Sequence, residues 1–400
     1  MDYDYSPTAL KKVTYAGTQA ASFPQGSRDL KELAELDVSP ERVRRATERI
    51  GDERVAERDA QAAAYAALPI PARRSMPADQ PTPAVACVQM DGGRLQFLDR
   101  AEPQRNEDDT FWREMKVGCL WSMTSKVSAD DPCPQLPASF VDPERMQQMV
   151  REIKGFSGPD SSAEDEAEES RIDERPGRPE PLARSVVASR HDVETFGKLL
   201  VSEAHQRRFV AAPRKAFVAD GSDANWGVWR RHFSDYEPIL DFIHALTYVY
   251  AAAMAGHASK EGWCAYRAWA QWVWSGRVDR VITALELRQQ ELGESTKETA
   301  KTAPSAIVAK SLGYLRNQRS RMDYSEYRKQ GLPMTSTYVE STVKQINRRM
   351  KGTEKFWSNG VEAMLTLVAD HLSDTPTLAR FWRNRPQRIT GCRCYQSHAA

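Results

Sequence analysis

The stretch that decides the fold runs from residue 217 to residue 250 and reads FVADGSDANWGVWRRHFSDYEPILDFIHALTYVY. It contains two short apolar runs, and each of them ends at an acidic residue, Asp220 in the first and Asp241 in the second. The runs KAFVADG (215–221) and EPILDF each predict a strand, and NWGVWRRHF between them predicts a helix. A strand–helix–strand unit of this kind indicates an α/β sheet that carries carboxylates at its strand ends.

Earlier in the chain the sequence predicts three antiparallel strands within residues 85–124. AVACVQMDGGRLQFLDR is an apolar run, then Asp-Gly-Gly, then a second alternating run, which is typical of a β-hairpin. REMKVGCLWSMT (113–124) predicts the third strand, and DVETFGKLLVSEAHQRRF (192–209) predicts a helix. Three meandering strands followed by alternating helices and strands predict a mixed α/β sheet, in which the first and fourth strands can be neighbours.

Helices are predicted before and after this sheet. Ser39-Pro40-Glu41 begins a helix that is expected to end at Gly51. Residues 28–66 then read either as a helix-turn-helix DNA-binding unit or as a helical hairpin without a specific role. The predicted organisation is a helical region (1–67), a Pro-rich linker (68–84), a core (85–244) with a disordered acidic insert (157–183), a helical insertion (245–319), a second part of the core (320–385) and a basic tail (386–400).

Composition narrows the function classes only slightly. The 400 residues include 56 basic and 55 acidic side chains, so net charge argues neither for nor against a nucleic-acid partner. Six cysteines form no CxxC motif, which favours a reducing compartment, and Cys392 and Cys394 alone are a weak metal signal. The N-terminus lacks a signal-peptide pattern, and the most apolar window (243–256) is shorter than the ~20 residues of a membrane span. We therefore expect a soluble, cytoplasmic protein with no membrane partner.

Three acidic residues stand out by their position in this predicted fold. Asp91 ends the first strand, Asp220 ends the fourth strand, and Glu340 lies on the last predicted helix, which begins near Thr337. Three carboxylates that meet at one point repel each other unless a divalent cation is present, and oxygen-only ligands select Mg²⁺ or Mn²⁺. Two such ions about 3.5–4 Å apart are the basis of two-metal phosphodiester chemistry.

Each of these residues also has a purely structural interpretation. Asp91 with the two glycines after it suits a hairpin turn. Asp220 and Gly221 can form a turn as well, and Asp223 competes for the role of Asp220. Glu340 and Lys344 can be a surface i,i+4 pair worth about 0.2–0.5 kcal/mol.

The predicted last helix separates an apolar stripe from a charged face. Its charged face carries Glu340, Lys344, Arg348 and Lys351, and Arg349 lies beside them. The stripe that can pack on the sheet contains Val339, Val343, Ile346 and Met350. Cations beside the glutamate predict contacts to nucleic-acid phosphates, although solvated helix faces have the same composition.

Five segments together resemble a known family, the DDE transposases of bacterial insertion sequences. These segments are VQMDGG (88–93), REMKVGCL (113–120), FVADGSDANW (217–226), ILDFIHA (239–245) and RMDYSEYRKQGLPMTSTYVESTVKQINRRMKGTEKFW (321–357). Within the family the chain is most similar to the ISKra group, which is related to the Mutator-like enzymes. The resemblance covers residues 85–385.

The resemblance implies a ribonuclease H-like core with helices on both faces of its sheet. It implies that Asp91, Asp220 and Glu340 are catalytic metal ligands for Mg²⁺, with Mn²⁺ able to substitute. In this family the second aspartate is followed by a Cys-or-Asp, two residues and a His, and Asp241 and His244 fit that pattern. His244 is then a catalytic residue near the scissile phosphate with Asp241 supporting it, whereas a histidine buried at a helix start is the alternative.

The implied partners are double-stranded DNA, namely terminal inverted repeats and target DNA, and further copies of the chain assembled on that DNA. Two departures from the family pattern accompany the resemblance. Thr335-Ser336-Thr337 stands where relatives have glycines, and a Cys-rich zinc element is absent from the N-terminal region. Two alternatives therefore remain, a catalytically silent DNA-binding protein derived from a transposase and an unrelated α/β protein.

Overall fold

A computed structural model of the chain describes residues 5–75, 82–98, 111–153, 176–296, 299–352, 355 and 357–388. The strands among these residues are β1 (Val85–Gln96), β2 (Trp112–Thr124), β3 (Glu180–Ser189), β4 (Arg214–Ala219) and β5 (Glu237–Leu240). The helices are α1 (Pro7–Gln19), α2 (Phe23–Ala34), α3 (Pro40–Ala67), α4 (Ile70–Arg74), α5 (Pro143–Ile153), α6 (Val193–Gln206), α7 (Asp223–His232), α8 (Phe242–Met254), α9 (Ser259–Trp274), α10 (Val278–Leu292), α11 (Pro304–Gln318), α12 (Tyr324–Lys329), α13 (Thr337–Met350), α14 (Val361–Leu372) and α15 (Thr377–Arg388).

The five strands form one mixed sheet in the order β3-β2-β1-β4-β5. β1 pairs antiparallel with β2, and β2 pairs antiparallel with β3. β1 also pairs in parallel with β4, and β4 pairs in parallel with β5. The expected mixed α/β sheet is therefore confirmed, and the strand before Asp91 does lie beside the strand before Asp220.

The predicted hairpin at Asp91-Gly92-Gly93 is wrong, because β1 runs straight through these residues and keeps its register with β2 from Val85 to Gln96. Neither glycine has the positive φ that a type I′ turn needs. Gly93 instead leaves room for a neighbouring strand, since a Cβ there would lie 2.4 Å from Cε of Met115. Sequence pattern alone cannot separate this use of glycine from a turn.

The third antiparallel strand is β3, which the sequence analysis missed. It begins at Glu180 and therefore includes the last residues of the segment 157–183 that was predicted to be disordered. Residues 157–175 of that segment lie outside the described residues. Most of the basic tail, from residue 389 onward, lies outside them as well.

Helix α13 packs on the sheet with the predicted apolar stripe. Val339, Val343, Ile346 and Met350 are all buried, as the 3.6-residue period indicates. The helix lies against β1 and β2. The opposite face of α13 carries Glu340 and stays half-exposed.

Helix α3 continues to Ala67 and does not end at Gly51, as predicted. Gly51 is the point where α3 crosses α14 most closely, because a Cβ there would lie 2.5 Å from Cβ of Ala363 and 2.7 Å from its carbonyl oxygen. One turn further on, the buried Arg54 forms an ion pair of 2.7 Å with Asp370 of α14. The N-terminal helices thus share an apolar cluster with α14 and α15, whose members include Leu10, Val43, Ile50, Leu367 and Phe381.

Helices α8 to α11 occupy the region predicted to be a helical insertion, between β5 and the segment that leads to α13. Among the described residues, no helix combines the length and the apolar character that crossing a bilayer requires.

The close crossing at Gly51 predicts a large effect of a single methyl group. Gly51→Ala should lower the free energy of unfolding by about 1–3 kcal/mol, because the new Cβ meets backbone atoms of Ala363 that cannot rotate away. Gly227→Ala is the matched control, since it is also a helix-interior glycine and a Cβ there meets nothing within 4 Å. It should raise stability by up to about 1 kcal/mol through helix propensity.

Urea unfolding followed by circular dichroism measures both changes. Equal effects of the two substitutions would contradict the tight α3–α14 crossing.

Candidate functional site

Three aspartates lie at the level where β4 and β5 end. Asp220 and Asp241 follow these two strands, whereas Asp91 lies inside β1 and does not end it as predicted. Met90 pairs with Ala219, so Asp91 and Asp220 each come one residue after a paired position. Ala219 pairs with Leu240, which places Asp220 level with Asp241 in the same way. The backbone N–H of Asp241 donates to the carbonyl of Ala219 at 2.9 Å and keeps the two strand ends together.

Local hydrogen bonds hold the carboxylates of Asp91 and Asp220. Oδ1 of Asp91 accepts the backbone N–H of Gly92 at 2.7 Å. Oδ1 of Asp220 accepts the N–H of Ser222 at 2.9 Å and Nδ2 of Asn225 at 2.8 Å. Asn225 also donates to the carbonyl of Met90 at 3.4 Å, so it ties the two strand ends together. The sequence analysis missed this role of Asn225, because nothing in the local pattern separates it from an ordinary first-turn residue of α7.

Asp241 is fully buried and accepts three hydrogen bonds. Its Oδ2 accepts the backbone N–H of His244 at 2.7 Å, which caps α8, and lies 2.7 Å from Nδ1 of the same residue. Its Oδ1 accepts the backbone N–H of Ser336 at 2.7 Å. Asp241 therefore connects the end of β5 to the turn that precedes α13, a larger role than the supporting one predicted for it.

Gln89 of β1 holds the same turn from the other side. Its Nε2 donates to the carbonyl of Thr335 at 2.8 Å, and its Oε1 accepts the backbone N–H of Val339 at 3.2 Å. Gln89 is fully buried, and the sequence analysis did not identify it. A lone polar residue in a buried strand is the signal that could have found it, because such a side chain needs partners.

The turn Thr335-Ser336-Thr337 forms without glycine. Among the described non-glycine residues, only Glu35 and Arg208 have positive φ, and Ser336 has φ −92°. These residues therefore do not adopt the left-handed conformation that would favour glycine. Instead, the Ser336 hydroxyl donates to Oε1 of Glu340 at 2.8 Å and orients that carboxylate.

Asp241, His244 and Glu340 form a cluster that can hold a metal ion. One ligand atom from each lies within 4.8 Å of the others, and His244 Nδ1 lies 3.9 Å from Glu340 Oε1. The predicted set of Asp91, Asp220 and Glu340 is not gathered this closely among the described residues, and its assignment as a set of metal ligands stays a prediction.

Burial and neighbouring charges shift the pKa values of the acidic residues and of His244 at this site. Burial raises the pKa of Asp91 to about 6, against the Gly92 hydrogen bond, and the charge of Asp220 adds to the rise. Burial and the charge of Asp241 raise the pKa of Glu340 to about 7, while His244 opposes the rise. Burial alone would lower the pKa of His244, but the hydrogen bond and charge of Asp241 outweigh it and raise that pKa to about 10. The edge therefore combines crowded carboxylates with one imidazolium.

Two stacked tyrosines border this edge. The rings of Tyr248 and Tyr314 are parallel within 10° with centroids 3.7 Å apart. A Cβ on Gly221 would lie 2.3 Å from the Tyr314 ring, and Gly221 has no positive φ. Gly221 is thus needed for this contact, and the hydrogen bond from the Ser222 N–H to Oδ1 of Asp220 shows that the chain also turns here.

The basic residues predicted on α13 divide into two groups. Arg348 is exposed, and Lys344 and Lys351 are half-exposed, so their assignment to phosphate contacts stays a prediction. Arg349 is buried and donates to the carbonyl of Gly17 on α1 at 2.9 Å. Its predicted contact to nucleic acid is wrong, because its guanidinium holds the N-terminal helix to α13.

No family model matches the chain, and no curated protein matches it. The geometry of the site is therefore what supports a function.

The coupling between Asp241 and His244 predicts a large change in one pKa. Replacing Asp241 by Asn removes the hydrogen bond and the charge that contribute most to raising the pKa of His244. That pKa should therefore fall well below about 10, while the charges of Glu340 and Asp220 still favour the imidazolium. Titration of the imidazole signals by NMR measures it. Asp223→Asn, at the exposed start of α7, is the control and should leave the value unchanged. A pKa that stays near 10 in the Asp241 variant would contradict the assigned contact.

The raised pKa values also predict how stability depends on pH. Asp91 and Glu340 hold protons more tightly in the folded protein than in the unfolded chain, so their ionisation costs stability as pH rises toward 6 and 7. The stabilisation from His244 is complete below 6.5 and is lost as pH rises through about 10. The free energy of unfolding in EDTA should therefore fall from mildly acidic to alkaline pH.

Glu340→Gln isolates one group of this dependence. It should flatten the decrease between about 4.5 and 7, where one group contributes at most about 1.4 kcal/mol per pH unit. Urea unfolding at a series of pH values measures it, and an unchanged slope would show that Glu340 ionises normally.

Proposed function

We propose that this chain is a DDE transposase, which cuts DNA at the ends of a mobile element and joins the freed 3′-OH to target DNA. One observation carries the proposal, namely that the register of β1 with β4 places Asp91 and Asp220 at the same edge of the sheet. Glu340 reaches this edge from α13, which packs on β1. Its carboxylate is near enough to Asp91 for the two charges to interact.

The strand order supports a ribonuclease H-like core. Three antiparallel strands are followed by two strands parallel to the first, and β1 lies in the centre. In this arrangement β1, which carries Asp91, is adjacent to β4, which leads to Asp220. Helices α8 to α11 then take the position of the insertion that several such transposases have before the glutamate helix.

The donor set fits a divalent cation. Asp91, Asp220 and Glu340 offer only carboxylate oxygens, which suit Mg²⁺ and Mn²⁺. A cation would favour the ionised form of Asp91, whose pKa is raised mainly by burial and further by the charge of Asp220. Bound ions of this kind activate water or a 3′-OH and stabilise the departing oxygen of a phosphodiester. His244 has its Nδ1 committed to Asp241. We therefore assign Asp241 and His244 to supporting roles around the carboxylates.

Neighbouring side chains orient the carboxylates of Glu340 and Asp220. Ser336 directs the Glu340 carboxylate, and Asn225 fixes Asp220 against the end of β1. The imidazolium of His244 places a positive charge beside the carboxylates, where it can contact a phosphate oxygen. Lys344 and Arg348 continue the same face of α13 and would bind backbone phosphates of the duplex. Further copies of the chain on paired DNA ends are part of this proposal.

The proposal predicts metal-dependent cleavage of DNA. Incubation with a labelled duplex that carries the sequence flanking the encoding gene should give nicks in Mg²⁺ or Mn²⁺ and none in EDTA. Asp220→Asn and Glu340→Gln should each slow cleavage by roughly 100-fold or more, because each removes a charged ligand from the reacting centre. Asp223→Asn, three residues from Asp220 and exposed, is the matched control and should keep wild-type cleavage.

The alternative outcomes separate the other classes. Specific binding of the duplex without cleavage would identify a catalytically silent DNA-binding protein. The absence of both binding and cleavage would leave an α/β protein unrelated to transposases. Equal loss in the Asp220 and Asp223 variants would contradict the assignment of Asp220.

A further inference from the structure

A cavity of about 560 Å³ lies at the edge of the sheet opposite the carboxylates. Lys215 and Tyr236 line it where β4 and β5 begin, whereas Asp220 and Asp241 follow the carboxyl ends of the same strands. Residues from α3, α4, α6 and α7 complete its wall. It is therefore separate from the site described above.

The polar lining of this cavity is strongly basic. Arg73, Arg74, Lys215 and Arg231 line it together with two histidines, and Asp235 is the single acidic residue among the lining residues. Lys215 lies 2.7 Å from Asp235 and neutralises it. Arg231 also lies 3.8 Å from Glu194, which is outside the cavity lining, so the wall itself holds three arginines in excess of its acidic groups.

Helix α4 is folded back so that its arginines reach the cavity. Arg73 donates to the carbonyl of Leu68 at 2.9 Å and to that of Ala66 at 2.6 Å. Its guanidinium also lies 5.5 Å from the centre of the Tyr65 ring. These contacts fix the short helix against the end of α3 and leave Arg74 exposed beside the cavity.

Two histidines contribute buried nitrogen atoms that have no hydrogen-bond partner among the described residues. These atoms are Nε2 of His205 and Nε2 of His232. The imidazole of His232 packs on α6 at Gly197, where a Cβ would lie 2.9 Å from its Nε2. Because no solvent reaches these two nitrogen atoms, the groups that the cavity offers to a ligand are its basic side chains.

We propose that this cavity binds a phosphate group. Arginine guanidinium groups match phosphate oxygens in geometry and bind them through paired hydrogen bonds, and the cavity collects such groups from two helices around one space. The phosphate can belong to the backbone of a DNA duplex or to a free phosphate compound. The chemistry of the site is the same in both cases, and it does not depend on the transposase reaction.

The test compares two double variants that remove equal charge. Arg74→Gln with Arg231→Gln removes two exposed cations at the cavity, and Lys260→Gln with Arg267→Gln removes two exposed cations of α9. Circular dichroism should show that both variants fold like the wild type, because all four side chains are on the surface. Affinity for a labelled random-sequence duplex is then measured against KCl concentration, and stabilisation by inorganic phosphate is measured by thermal unfolding.

We expect the cavity variant to change at least one of the two readouts while the α9 variant changes neither. A slope of log affinity against log salt that is smaller by about two identifies the phosphates as those of the DNA backbone. A loss of stabilisation by inorganic phosphate, with the DNA slope unchanged, identifies a free phosphate compound. Wild-type behaviour of the cavity variant in both readouts, or an equal effect of the α9 variant, would overturn the proposal. Neither readout needs DNA cleavage, so failure of the transposase proposal is distinguishable from failure of this one.

Discussion

The buried carboxylate of Asp241 is the interaction on which the rest of the candidate site depends. It has no exposed surface, and its oxygens accept from two backbone N–H groups and face one imidazole. A buried anion is tolerated only when its lone pairs are satisfied in this way. The same three contacts begin α8, hold His244 charged and position the turn before α13. The orientation of Glu340 therefore follows from Asp241 through Ser336.

Gln89 is the second buried side chain that positions the turn before α13. It reaches from the central strand to Thr335 and Val339. The start of α13 is therefore hydrogen-bonded to Gln89 of β1 on one side and to Asp241, after β5, on the other. The apolar stripe of α13 supplies its packing energy, while these buried polar contacts set its position along the sheet. The two ends of β4 and β5 then differ in charge. Carboxylates follow these strands beside Asp91 of β1, and a basic cavity lies where they begin.

Local patterns were sufficient for much of the fold and for the acidic residues. The alternation of apolar runs with turns predicted β4, α7 and β5, and the 3.6-residue period predicted which face of α13 is buried. The order of the elements also indicated that the first and fourth strands can be neighbours, whereas their parallel direction was found only in the structure. The predictions at Gly51 and Gly93 were wrong. Glycine occurs both at helix ends and turns and at places where another segment of the same chain packs closely, and the sequence pattern does not separate the two uses.

By itself, the sequence determined the strand–helix–strand unit of β4, α7 and β5, the aspartates that follow these two strands and the amphipathic face of the last helix, since these depend on residues near each other in the chain. Only the tertiary structure decided which polar groups meet. Asp241 and Ser336 are 95 residues apart, Gln89 and Thr335 are 246 apart, and Arg349 reaches Gly17 across 332 residues. No local period records such contacts, because each partner satisfies a buried hydrogen-bonding group that becomes buried only when the distant segments pack together.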